Sequence, residues 1–405
     1  MRWDTVWHLA KKEILSTFRD RRALISNIVI PLVLMPVMML GLPQLLGGLF
    51  EREAVNVTPV AVEGLDNLPD SLQGLLELSL IELQETADAE AAVRDGDFDV
   101  GLAVPDGFED ALADNGAPSL TVYSLMGNMQ SELASGKVNT ALGLYREQLV
   151  RSNLSDAGID PAVLEPLTVV TLDASTEQQR ASGMFGWLIP FFIAMWALMG
   201  GQMTAIDATA GEKERGTMES LLVSPVSRFE VVMGKWLATV LFGLMAAFAA
   251  IFGYLVGGAL MRNLASGEEA SAFTEVMGGS LTVNFQVISE LVVSAVLLTA
   301  FIAALLIAIT MFARSFKEAQ SYLGPLSFVL VIPAVALQFR DFFDLGVTQY
   351  LIPIVNALIV MYDTVRGDSD MMGLLLTWGS LIVYTVILLL FAHRNYQRED
   401  VIFRT

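Results

Sequence analysis

The stretch GMFGWLIPFFIAMWALMGGQMTAI, residues 183–206, decides the fold. It carries no charged residue and is longer than the ~20 apolar residues that a membrane-spanning helix needs. A charged loop at 207–235 follows, and a second charge-free stretch extends from Trp236 to Met261. Two long apolar runs joined by a short charged loop predict two membrane helices that run in opposite directions.

Four further charge-free runs complete a predicted all-α membrane bundle of six transmembrane helices. The chain is 54% hydrophobic and only 17% charged, whereas soluble chains carry roughly 25% charged residues. A marginal run at 345–362 contains Pro353 and Asn356, so we interpret 340–370 as a re-entrant hairpin on the outer side. The other four spans are Ala23–Phe50 (23–50), Leu291–Ala313, Ala319–Phe339 and Met371–Ala392; the second to sixth spans occupy 183–392.

Basic residues set the predicted orientation. With six spans, the segments on one side are 1–22, 207–235, 314–318 and 393–405, and they hold 15 Lys and Arg; the much longer segments on the other side hold 9. The positive-inside rule therefore places both termini in the cytoplasm and 51–182 outside. A seventh span at 345–362 would move the basic tail outside, which favours the hairpin.

Residue usage excludes several functional classes. The net charge of −20 argues against a nucleic-acid partner. There is no cysteine, and the two histidines, His8 and His393, lie at opposite ends, which argues against a zinc site or a catalytic triad. Gly234-Lys235 is followed by Trp236, so this is not a P-loop. We expect no catalytic residue, metal or cofactor on this chain, although a Ser/Lys intramembrane enzyme stays open.

The 51–182 insert predicts an extracytoplasmic α/β or α+β domain, because strand-like and helix-like segments alternate. The segment 1–22 predicts an amphipathic interface helix with Trp3, Val6, Trp7, Ala10, Ile14 and Phe18 on one face. In the insert, predicted strands are Val55–Val62, Phe98–Val104, Leu120–Tyr123 and Leu167–Leu172, and predicted helices are Ala87–Val93, Phe108–Ala113 and Gln130–Val150.

The 207–235 loop carries the clearest functional pattern. Gly216 permits a sharp change of backbone direction, and Pro225 ends a short helix predicted at Thr217–Val223. Ser227 and Glu230 have the spacing of a capping box, which predicts the start of the third span. A short exposed helix with apolar residues lies in the lipid interface or docks into a partner.

Residues 212–228, EKERGTMESLLVSPVSR, resemble the cytoplasmic loop of ABC-transporter permeases of the second exporter type (ABC-2). The resemblance is closest to the branch that contains bacterial sodium-exporter permeases, and it extends to Ile352–Asn356 and to the order of the spans. It implies a bacterial cytoplasmic-membrane exporter in which a separate ATPase subunit holds ATP and Mg²⁺, and in which a second permease chain, identical or related, completes the pathway.

The resemblance also implies a coupling helix that docks on the ATPase. Its polar contacts come from Glu212, Glu214, Arg215 and Glu219, with Thr217, Leu221 and Leu222 at the contact. Ser224 and Pro225 fix the exit angle. The whole coupling set is Glu212, Glu214, Arg215, Gly216, Thr217, Glu219, Leu221, Leu222, Ser224, Pro225 and Arg228.

Gln202, Thr204, Asp207 and Glu290 are candidates for the substrate path, because polar and ionisable groups in spans are often functional. Since no charged residue lies deep in a predicted span, sodium is weakened as the substrate, and a drug-like, lipid-like or peptide substrate stays open. The alternatives are an ion-coupled secondary transporter and a membrane sensor with an extracytoplasmic ligand domain. The sequence shows neither internal repeats nor a cytoplasmic output domain to favour them.

Overall fold

The computed structural model describes residues 2–38, 40–41, 56–113, 116–164, 174–182, 186–218, 225–264, 285–342 and 346–398. The chain divides into two compact units. One unit comprises Met1–Gln44 and Ala174–Thr405, and the other comprises Leu45–Asp173.

The chain begins with three helices, α1 (Trp3–Arg19), α2 (Arg21–Leu24) and α3 (Ile25–Met38), of which α3 opens with a π-helical turn at Ile25–Val29. The predicted N-terminal helix is confirmed as α1, but its apolar face is divided. Val6 and Ala10 are fully buried in the chain, while Trp3 and Trp7 are exposed. One side of α1 therefore packs on protein and leaves the tryptophans free for the membrane interface.

The unit Leu45–Asp173 is an α/β unit with a four-stranded sheet in the order β2-β1-β3-β4. β1 pairs in parallel with β2 and β3, and β4 is antiparallel to β3. Val60, Val62 and Leu102 form part of its core with residues of the covering helices. Its elements are β1 (Thr58–Glu63), α4 (Asp70–Leu78), β2 (Ile81–Glu85), α5 (Ala89–Arg94), β3 (Val100–Ala103), α6 (Phe108–Ala113), β4 (Thr121–Ser124) and α7 (Met129–Asp156).

Most of the elements predicted for this insert are confirmed, with ends that shift by a few residues. The sequence prediction missed α4 and β2, because the leucine-rich run from Leu72 to Leu83 has neither a clear helical nor a clear strand period. The strand predicted at Leu167–Leu172 lies outside the described residues.

Residues Ala174–Thr405, which complete the unit that begins at Met1, form mainly long helices. Within the described residues, five helices are long and apolar enough to cross a membrane. Within the described residues, the predicted span 23–50 is helical from Ala23 to Met38, and its apolar part, Ile25–Met38, is shorter than a membrane-spanning helix needs. Met39 and residues 42–50 lie outside the described residues, so the count of six stays a prediction. The helices are α8 (Glu177–Ser182), α9 (Leu188–Ile206), α10 (Glu212–Glu214), α11 (Arg228–Leu264), α12 (Phe285–Thr310), α13 (Phe316–Ala336), α14 (Val355–Arg366) and α15 (Met371–Tyr396).

Between α13 and α15 the chain forms two 3₁₀ segments, Leu337–Phe342 and Gly346–Leu351, and then the short helix α14. The turn into α14 has Ile354 at φ 73°, a conformation that is costly for a β-branched residue. Buried Asn356 donates hydrogen bonds to Tyr350 O (3.2 Å) and Ser380 Oγ (2.8 Å). These two hydrogen bonds tie the turn before α14 to α15, and the re-entrant hairpin at 340–370 stays a prediction.

Candidate functional site

The candidate site lies at the end of the helical bundle where the 207–235 loop begins and ends. This end, which includes Glu214, is called the loop end below. The helix of the second span continues past the charge-free run, because a π-helical turn at Asp207–Gly211 joins α9 to α10. The helix stops at Gly216, whose φ of +68° is the left-handed conformation that favours glycine. The predicted redirection at Gly216 is therefore confirmed.

Residues 212–228, called the coupling segment below, are described on both sides of a gap at 219–224. Thr217 and Met218 are helical, and the predicted site residues Glu219, Leu221, Leu222 and Ser224 lie outside the described residues. Met218 is buried, and its Sδ accepts a hydrogen bond from Tyr396 Oη. The chain then leads into α11.

A capping box begins α11, as the sequence predicts. The amide of Ser227 donates to Glu230 Oε2 (3.0 Å), and the amide of Glu230 donates to Ser227 Oγ (3.3 Å). Glu230 Oε1 also accepts from the amide of Arg2 (2.6 Å), and the Arg2 guanidinium donates to Pro225 O (2.7 Å). The cap therefore also holds the N-terminal end of α1.

Polar side chains of this segment bind the ends of three other helices. Lys213 Nζ donates to the carbonyls of Met311 and Ala313, just past the end of α12. Glu214 Oε2 accepts from the amide of Phe316, at the start of α13 (2.8 Å). Arg228 donates to Gln397 O (2.6 Å) and Tyr396 O (3.3 Å), at the end of α15. Cations at helix C-termini and a carboxylate at an N-terminus also suit the helix dipoles.

Four charged side chains from α1, α10 and α11 form a closed ring of alternating sign, which we call the charge ring. Its members are Lys12, Glu13, Glu212 and Lys235. Lys12 Nζ lies 2.6 Å from Glu212 Oε1 and 3.2 Å from Glu13 Oε1, and Lys235 Nζ lies 4.0 Å from Glu13 Oε1. Lys235 also donates to Glu212 Oε2 and to Ala208 O. The formal charges of the ring cancel.

Most of the charge ring is inside the protein. The Glu212, Lys235 and Glu13 side chains are 3%, 4% and 9% exposed, whereas Lys12 is 54% exposed. Partial burial alone would lower the pKa of Lys12, but the hydrogen bond to Glu212 and the charges of Glu13 and Glu212 outweigh it and raise that pKa above its ordinary value. Lys12 therefore stays cationic at neutral pH.

The structure thus places Glu212, predicted as a polar contact for a partner, inside the chain. Arg215, in contrast, is half exposed and pairs with Asp207 at 2.8 Å. The hydrogen bond to Asp207, followed by the charge of Asp207, raises the pKa of Arg215. Of the predicted polar contacts among the described residues, Glu214 and Arg215 remain at the surface.

The substrate-path candidates do not come together. Thr204 is buried in α9, Gln202 is half-buried, and Asp207 is held by Arg215 at the loop end. Glu290 is buried near the start of α12, where it accepts from Gln286 Nε2 (2.8 Å) and Thr364 Oγ1 (3.3 Å). A helix rises 1.5 Å per residue, so Glu290 lies about 30 Å from the loop end along α12.

Sequence reasoning missed Lys12, Glu13 and Lys235. A signal for Glu13 exists, because it follows Val6 and Ala10 on the stripe of α1 that the structure buries. No local signal pairs α1 with Glu212, which is about 200 residues away. Among the described residues, no group of three or more His, Asp or Glu side chains is arranged to hold a metal ion.

Comparison with known proteins supplies the family. A family model described as "ABC-2 family transporter protein" matches residues 21–394. The chain is 29% identical over 395 residues to the "ABC transporter permease protein NatB" of Bacillus subtilis, covering 97% of this chain and 98% of that protein. It is also 26% identical over 216 residues to the "Uncharacterized protein YhcI" of the same organism, covering 51% of this chain and 66% of that protein.

Proposed function

Because the chain belongs to the ABC-2 transporter family and is therefore a membrane subunit that does not itself hydrolyse ATP, we propose that it is the permease of an ATP-driven exporter. A separate ATPase subunit, which holds ATP and Mg²⁺, docks on residues 212–228. A second permease chain, identical or related, forms the pathway together with this one. ATP-driven movement of the docked ATPase shifts the helices as rigid bodies and opens the pathway outward.

The observation that carries this proposal is the set of contacts made by the coupling segment. Lys213, Glu214 and Arg228 bind the ends of α12, α13 and α15, and the capping box holds α1. A displacement of this segment therefore reaches each of these helices directly. A loop that served only as a lipid anchor would have no need of such contacts.

The proposed orientation places the loop end in the cytoplasm. Its support is the excess of Lys and Arg in the segments 1–22, 207–235, 314–318 and 393–405. The contacts of Arg2 with Glu230 and of Tyr396 with Arg228 are consistent with both termini lying on that side. On this basis the chain is a multi-pass protein of the bacterial cytoplasmic membrane, with 51–182 outside.

Two substrate classes fit the proposal. The resemblance to sodium-exporter permeases points to sodium, whereas the lack of charged residues deep in the predicted spans favours a drug-like or lipid-like molecule. Buried Glu290 is the one path candidate at the far end of α12, and Gln202, Thr204 and Asp207 lie toward the loop end. We therefore assign these residues to the two ends of a path rather than to one binding site.

The test is co-purification with the P-loop ATPase encoded nearest to this chain. The double variant Leu221→Asp with Leu222→Asp places two carboxylates in the proposed docking surface, and we expect it to lose the ATPase and its hydrolysis, since unpaired buried charges cost several kcal/mol. The matched control is Val163→Asp with Leu164→Asp, an exposed aliphatic pair in the other unit, which should retain the ATPase.

Two results would contradict the proposal. Equal ATPase recovery with the double variant and the control would make the loop an interfacial anchor. A wild-type chain that never retains an ATPase would favour an ion-coupled secondary transporter or a sensor.

A further inference from the structure

The charge ring joins three elements that are far apart in sequence. Lys12 and Glu13 come from α1, Glu212 from α10 and Lys235 from α11. Each charge has a neighbour of opposite sign on both sides, and the two carboxylates and Lys235 are removed from water. Separation of α1 from the other elements would take Lys12 away from Glu212 and Glu13 away from Lys235.

The backbones of α1 and α11 also touch beside the ring. A Cβ atom on Gly234 would lie 2.7 Å from Leu9 Cβ and 3.3 Å from Val6 O. Only glycine allows α1 to lie this close, and Gly234 immediately precedes Lys235. The close contact brings Glu13 within reach of Lys235, so packing and charge act at the same place.

We propose that the charge ring is a latch that makes α1, α10 and the start of α11 move as one body, and that Glu13, Lys12 and Lys235 are positioning residues for coupling. This inference rests on the proposed function, in which the ATPase acts on residues 212–228. Glu212 then acts within the chain, by transmitting movement of the coupling segment to α1, and does not touch the ATPase itself.

The physical reason lies in the cost of breaking a buried ion pair. Removal of one partner leaves an uncompensated charge in a poorly solvated place, which is far more costly than loss of a surface pair. A neutral ring avoids that cost only while α1 stays in place. The ring therefore keeps α1, α10 and α11 together during movement, and it adds little to overall stability.

Cysteine labelling tests the latch without any ATPase, because the chain contains no cysteine. Ala10→Cys introduces a thiol at a fully buried position of α1 next to the ring, and Lys11→Cys introduces one at an exposed polar position of the same helix. In the unaltered ring, we expect Lys11→Cys to react with a water-soluble maleimide and Ala10→Cys to be protected.

Variants of the ring then decide the question. Lys235→Met should raise the labelling rate of Ala10→Cys at least about tenfold, whereas Lys235→Arg should preserve protection. Lys11→Met is the matched control, since it removes an exposed lysine from α1 outside the ring. If Lys235→Met does not fold, Glu13→Gln carries the test, because it keeps the pair of Lys12 with Glu212. Protection that survives both variants would overturn the latch.

Transmission is measured with the ATPase bound. We expect Lys235→Met to retain the ATPase within about twofold of wild type but to lower permease-stimulated ATP turnover at least about tenfold, and Lys235→Arg to restore turnover. Exposure of Ala10→Cys with unchanged turnover would leave the ring a structural feature only. Failure of the wild-type chain to bind the ATPase would overturn the proposed function and the transmission step, while the labelling result would still decide whether the latch exists.

Discussion

Single glycines decide how closely the membrane helices pack around α11. A Cβ on Gly243 would lie 2.7 Å from Thr299 Cγ2 and 2.9 Å from Ala197 O, so α9 and α12 both occupy the space of a side chain there. A Cβ on Gly324 in α13, in contrast, would meet nothing within 4 Å. Two glycines in membrane helices therefore have different roles, which only their surroundings reveal.

We therefore expect Gly243→Ala to lower stability by about 1–3 kcal/mol, because the neighbours at this position are a backbone carbonyl and a buried threonine. Gly324→Ala is the matched control and should be neutral or stabilising by up to about 1 kcal/mol, since alanine favours the helix. Thermal unfolding in detergent, followed by tryptophan fluorescence, compares the two. Equal Tm values would show that the bundle relaxes around the added methyl group.

Whether the role of a residue was predictable depended on how far its partners lie from it in the sequence. Gly216, Ser227 and Glu230 were predictable because their roles depend on neighbours within a few positions. The burial of Glu212 was not, since its partners Lys12 and Lys235 are brought to it by tertiary packing. A charged residue in a charged loop is normally solvated, and nothing local marks this one as buried.

At the scale of elements, α1 is attached at two separate points. Its N-terminal end is held by Glu230, which accepts from the Arg2 amide, and its middle is held by the charge ring. The sequence predicted this helix correctly, but it placed the helix on the membrane through its tryptophan face. The structure divides that face: Val6 and Ala10 pack on α11, and the two tryptophans stay exposed.

The two attachments should be separable. Glu230→Ala removes the acceptor for the Arg2 and Ser227 amides, and we expect it to speed maleimide labelling of a Val6→Cys thiol, which lies one turn from Arg2. Labelling of Ala10→Cys should stay slow, because the charge ring is intact in this variant. Simultaneous exposure of both thiols would mean that α1 detaches as a single unit.

At the scale of the whole molecule, the membrane helices were the most predictable feature. Five of the long charge-free runs correspond to helices that can cross a membrane, because burying so many apolar residues leaves few other solutions. The two helix ends in the charged loop were predictable as well, because Gly216 and the capping box of Ser227 and Glu230 mark them locally. No local pattern indicates the protein partners that Asp207, Lys213 and Arg228 find there.

The orientation of the whole chain is open to a direct test, again because the chain has no cysteine. Met126→Cys reports on the unit Leu45–Asp173 at a residue that is 99% exposed, and Lys11→Cys reports on α1 at the loop end. If the basic loop end faces the cytoplasm, a membrane-impermeant maleimide should label Met126→Cys in intact cells but Lys11→Cys only after permeabilisation. The reverse pattern would place residues 212–228 outside, where no ATP-driven partner could reach them, and the exporter mechanism would fail with the orientation.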